Sequence, residues 1–143
     1  MKPYTYNRLI IVFLSFAFAL GSCGNKKHST EESNTWAAMD SFHMIMAESF
    51  HPLKDSANLA PARANAELMA TEAEKWASSE LPEKVNNDEM TTRLENLKAS
   101  TRVFADKVKA GATDEQLGTA LTGLHDEFHH IMETWEGGGE KHH

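Results

Sequence analysis

The sequence predicts an all-α protein, an antiparallel up-down-up-down four-helix bundle, and three observations carry that expectation. From Asn34 onward, apolar residues recur every three or four positions in four stretches of similar length. Short segments rich in Pro, Asn, Asp and Gly separate the stretches. No two-residue alternation of the kind a half-buried strand requires competes with them.

The first helix carries Trp36, Met39, Phe42, His43, Met46, Phe50 and Leu53 on one face, with Pro52 near its end where it can bend the last turn. Asn58 to Pro61 is a turn, and Pro61 suits the opening of a second helix, since its missing N–H has no partner there in any case. That helix runs to about Ser79 and is expected to point Leu68, Met69, Glu72, Ala73 and Trp76 inward. Pro82 and the Asn86-Asn87-Asp88 cluster precede a third helix with Met90, Leu94, Leu97, Thr101, Phe104 and Val108 on one stripe. Gly111 is its stop. Thr113-Asp114-Glu115-Gln116 reads as a capping box for a fourth helix, in which side chain and backbone satisfy one another reciprocally. Leu117, Leu121, Leu124, Phe128, Ile131 and Trp135 form its inner face, and the Gly137-Gly138-Gly139 run ends it. In an up-down bundle the first and fourth helices are antiparallel neighbours, so Trp36 meets Trp135 at one end, and His43 and Glu72 lie level with the stretch Leu124 to His129.

Ahead of the bundle, Lys2 and Arg8 precede an apolar run from Leu9 to Leu20, too short to span a bilayer stably, and Leu20-Gly21-Ser22-Cys23 closes it. This is the pattern of a bacterial lipoprotein signal. It divides the chain into a signal peptide (1–22), a lipidated Cys23 with a flexible tether (23–33), the bundle (34–136) and a Gly/His tail (137–143). Gly24 follows the cysteine where an aspartate would favour retention in the inner membrane, which points to the outer membrane of the cell envelope. The acyl chains are then the membrane partner.

Composition narrows the chemistry. Lys2 and Arg8 leave with the signal, so 12 basic face 21 acidic side chains, a formal charge of −9 that does not seek nucleic acid. The single cysteine is spent on lipidation, which removes disulfides, thiolate metal cages and a cysteine nucleophile. With no nucleophile beside a base and no Gly-rich phosphate loop, an enzyme is not expected.

A metal would therefore rest on His, Met or carboxylate. His43 sits within the first apolar stripe and Glu72 within the second, and a buried polar group needs a partner. His125 and His129 are one turn apart, a spacing at which two imidazoles can share a metal ion, and Met132 continues their line. The expected metal set is His43, His125 and His129, supported by Glu72, Met46 and Met132. Imidazole suits copper and zinc, while thioethers favour Cu(I). The Glu-x-x-His pairs Glu48/His51 and Glu127/His130 match a di-iron motif in spacing but project off the apolar stripes, and read as solvated surface. His28, His142 and His143 lie in the flexible ends.

The stretch from Leu94 to His129, about a quarter of the chain, resembles the last two helices of the cytochrome c′ family. The resemblance rests on the short Ala-Gly-Ala-Thr-Asp turn and on Leu121-Thr122-Gly123-Leu124-His125-Asp126-Glu127-Phe128, where that family carries Cys-x-x-Cys-His and then an aromatic residue. His125 falls on the haem-ligating histidine and Phe128 on the aromatic. Leu121 and Leu124 stand at both cysteine positions, which excludes covalent attachment. What the resemblance still implies is a cytochrome b562-like arrangement, with haem b held non-covalently between His125 and Met39 or Met46.

Three functions follow as expectations: a lipid-anchored envelope bundle binding copper or zinc, a b-type haem protein, and a cofactor-free module that binds an envelope protein. The first step, anchorage, is testable directly. Cys23→Ala should move the protein from the membrane pellet to the soluble fraction, and a variant that still sediments after a high-salt wash would contradict it.

Overall fold

The computed structural model describes residues 36–137. They form four helices: α1 (Ala37–Ser56), α2 (Ala60–Ala77), α3 (Asp88–Lys109) and α4 (Asp114–Gly137), with one 3-10 turn, Glu83–Val85, between α2 and α3. No strand occurs among the described residues. The expected signal peptide, lipidated Cys23 and tether, and the residues beyond Gly137, lie outside them. Of the described helices, none is long and apolar enough to cross a membrane.

Each boundary has a local cause. Asn87 caps α3 by accepting a 2.8 Å hydrogen bond from the Met90 amide. At α4 the capping box is complete: the Gln116 amide donates to Thr113 Oγ1 and the Thr113 amide to Gln116 Oε1. Pro61 lies in the first turn of α2, and Gly111 takes φ +75° just after α3. Pro52 falls in the last turn of α1, which runs on to Ser56. There the chain ends in a left-handed residue, Ala57 at φ 54°, whose amide and that of Asn58 return to the carbonyls of Leu53 and Pro52.

Packing joins neighbours in opposite senses. Between α1 and α2, Phe42 meets Trp76 while Asn65 Nδ2 donates to Ser49 Oγ. Between α2 and α3, Arg102 reaches Glu67 at 2.6 Å. Between α1 and α4, Trp36 meets Trp135, Phe42 meets Phe128 and Leu53 lies against Gly118. Contacts that descend one helix as they climb the next make α1–α2 and α1–α4 antiparallel pairs.

The core gathers most of its aromatic rings toward one end. Trp135, Trp36, Trp76, Phe42 and Phe128 are all buried and form a chain in that order, with successive ring centroids 5.1 to 5.6 Å apart. Such pairs add about 0.5–1.5 kcal/mol each beyond the area they bury. Met46, Met69, Met90, Leu94, Leu97, Phe104, Leu117 and Leu121 join these rings in the core. Lys84, on the 3-10 turn, closes the aromatic end by placing Nζ 3.2 Å from the centre of the Trp135 ring. Two buried hydroxyls are satisfied locally, Ser49 on the Ile45 carbonyl and Thr101 on that of Lys98.

The inner stripes of α1 and α2 differ from expectation. The buried face of α1 is Met39, Phe42, Met46 and Ser49, which leaves His43 exposed on its margin. That of α2 is Ala62, Ala66, Met69, Ala70, Ala73 and Trp76, and it turns Leu68 outward at 48% exposure with Glu72 on the flank. The alanines decide this. They let α2 approach its neighbours closely, so the helix rotates to bury its small residues rather than its one leucine. Glu127, expected at the solvated surface, is partly buried in the α3–α4 seam.

Ala57 costs the fold something, because a Cβ in the left-handed region crowds the following carbonyl. Ala57→Gly should raise stability by about 0.5–1 kcal/mol, read as a higher urea midpoint, despite the greater freedom glycine has when unfolded. A lower midpoint would show that this cap is not under strain.

Candidate metal centre on the α1–α4 seam

Residues four apart on a helix stack over one another, and on α4 the positions turned toward α1 are occupied by His125 and His129. Their Nε2 atoms lie 3.1 Å apart. Phe50 of α1 covers His125, the two rings nearly parallel at 16° with centroids 3.7 Å apart. His43, from the same side of α1, stacks on the Phe128 ring at 5.4 Å. The seam is thus a surface line of imidazole and phenyl rings over the core, with Met132 partly buried one turn beyond.

The 3.1 Å separation allows two occupants. One is a proton, shared as an N–H···N hydrogen bond between neutral rings. The other is a metal ion. With metal–nitrogen bonds of about 2.05 Å, that separation subtends about 98° at the metal, between square-planar and tetrahedral angles. Two protonated rings cannot face each other at this distance.

Burial pushes the His125 pKa below the ordinary imidazole value of 6.5, and the charges of His129 and His51 push the same way. Asp126, with Oδ1 3.7 Å from Nδ1, opposes them.

The other expected ligands stand elsewhere. Glu72 is ion-paired at 2.6 Å with Lys75 on its own helix α2. His43 stays on Phe128. Met39 and Met46 are core residues. Among the described residues, no three His, Cys, Asp or Glu side chains converge closely enough to hold a metal ion together. Of the expected His43, Glu72, His125 and His129, the structure brings only His125 and His129 together. The physical reason is helix phase: His43 and Glu72 flank their buried stripes and do not point across the bundle. His130, whose ring is 63% exposed and near Glu133, is on the outer side of α4.

Haem fits these residues poorly. Its axial bond would need a His125 nitrogen in an open slot opposite a methionine, but Phe50 lies flat on His125, Nε2 faces His129, and Met46 is only 1% exposed within the core. No family model matches the chain, and neither does any curated protein or solved structure.

A lowered histidine pKa carries a sign for stability. The unfolded chain protonates His125 at a higher pH than the folded chain does, so the contribution of the neutral ring is complete above about pH 6.5 and is lost as pH falls through the folded value. The urea midpoint should therefore drop between pH 7.5 and 5.5, and less so in His125→Gln. Equal drops in the two proteins would place the pH dependence in other groups.

Proposed function

We propose that this chain is a lipid-anchored bundle of the bacterial cell envelope that binds a late transition metal ion, copper or zinc, through His125 and His129. The observation that carries the reading is the 3.1 Å approach of the two Nε2 atoms on the seam facing α1. Anchorage rests on the signal pattern ending at Cys23. Two protein nitrogens leave the remaining positions to water or to a ligand brought by a partner, so binding is reversible and weaker than in a closed four-ligand site. Such a site suits capture or transfer of metal rather than structural support, and the apolar core supplies the stability that a structural metal would otherwise provide. Met132, one turn past His129, can add a thioether and would bias the site toward Cu(I).

The same pair also supports a second reading, a cofactor-free interaction module, because two neutral imidazoles can satisfy each other by one hydrogen bond. Calorimetric titration with Zn²⁺ and with Cu²⁺ separates the two. Under the metal reading, His125→Ala and His129→Ala each weaken binding at least tenfold, while His130→Ala changes little. Unchanged affinity in the first two variants, or an equal loss in all three, would remove the metal and leave the cofactor-free module. His43→Ala in the same series reports whether α1 contributes a third imidazole.

A further inference from the structure

The opposite flank of α4 faces α3 and is built from small residues. Ser100 on α3 and Ala120 and Gly123 on α4 leave a groove of about 440 Å³ along the helix seam, floored by the buried rings and methyls of Phe104 and Leu124. A Cβ placed on Gly123 meets no atom within 4 Å, so the space above it is free. Val103, one wall of the groove, is 53% exposed, which is unusual for a valine beside a filled core.

One lining residue is charged, Glu127, and its carboxylate is poorly served. Oε2 is buried and has no hydrogen-bond partner. Oε1 receives only a long 3.4 Å hydrogen bond from Ser100 Oγ. A carboxylate drawn out of water without donors is costly, and a cationic donor is what would compensate it. The side chain is itself partly exposed, so it can turn toward a donor lying in the groove. From Glu127 to Ala120 is seven residues of helix, about 10 Å, the reach of an extended six-carbon alkylammonium together with the hydrogen bond from its head to the carboxylate.

We infer that the α3–α4 groove binds a compact cationic amphiphile, a primary alkylammonium whose head donates to the Glu127 carboxylate and whose apolar body lies over Gly123 between Val103 and Ala120. Charge complementarity selects the head, since Glu127 is the one charged lining residue, and the apolar floor selects the body. The site is independent of the histidine pair, which faces α1.

Three probes with one body and different heads test it: hexylammonium, hexanol and hexanoate, titrated into the full-length protein labelled with ¹⁵N-glycine and ¹⁵N-valine. Hexylammonium should shift the Gly123 and Val103 amide signals saturably, hexanol should bind at least tenfold more weakly, and hexanoate should leave the signals in place. Glu127→Gln should bring hexylammonium down to the affinity of hexanol. Gly123→Leu, which grows into open space, should abolish binding with the helical circular dichroism retained; if that variant loses its helices, Glu127→Gln alone decides. Equal affinity for the three probes, no shift with hexylammonium, or undiminished binding in Glu127→Gln would overturn the assignment.

Discussion

The rotation of α4 about its own axis is set by one contact cluster, and both candidate sites depend on it. Phe128 packs against Phe42 of α1 at 5.5 Å and Trp76 of α2 at 6.2 Å, and Trp36 joins Trp76 to Trp135. A ring held on several sides by other rings leaves its helix little freedom to turn, because interiors pack at crystal density and a rotation would open voids. With Phe128 pointing inward, the residues one step to either side are committed. His125 and His129 fall on the α1 side, and Ala120, Gly123 and Glu127 on the α3 side.

The two seams beside α4 are filled by different means. Toward α1 they are closed by large flat groups, Phe50 on His125 and His43 on Phe128, so the imidazoles are partly dried and held in place. This explains why His125 resists protonation and why its Nε2 is presented to His129. Toward α3 the side chains are small, and the seam remains open above Phe104 and Leu124. One helix thus offers a pair of lone-pair donors on one flank and a hollow ending in a carboxylate on the other. The proposed metal ion would sit on the first and the proposed cation with an apolar body on the second.

Polar contacts fix geometry rather than supply much stability. Arg63 spans from α2 to the α3–α4 connection, donating to the Ala112 carbonyl and to Asp114, and Arg102 ties α3 to Glu67 of α2. Exposed pairs of this kind contribute about 0–1 kcal/mol each, whereas every fully buried Phe or Leu contributes about 1.5–3 kcal/mol. The arginines therefore select register among packings that the apolar faces already favour.

Much of this was legible in the residues themselves. Four stripes at helical spacing, the Thr113–Gln116 box and Gly111 mark helices and ends because those signals act within a few residues, and the meeting of Trp36 with Trp135 follows from short connections alone. The four-residue spacing of His125 and His129 likewise guarantees that their rings are neighbours. What lay beyond the sequence was how far each helix is turned about its axis. A periodic stripe defines a face only to within a residue or so, and large apolar side chains such as Leu68 draw the reading toward themselves, whereas close packing in the fold is decided by Ala62, Ala66, Ala70 and Ala73. That small rotation carries His43 and Glu72 to the margins and sinks Glu127 into a seam. Burial of a single polar atom depends on which neighbours are small, and that is a property of facing helices, which only their tertiary assembly decides.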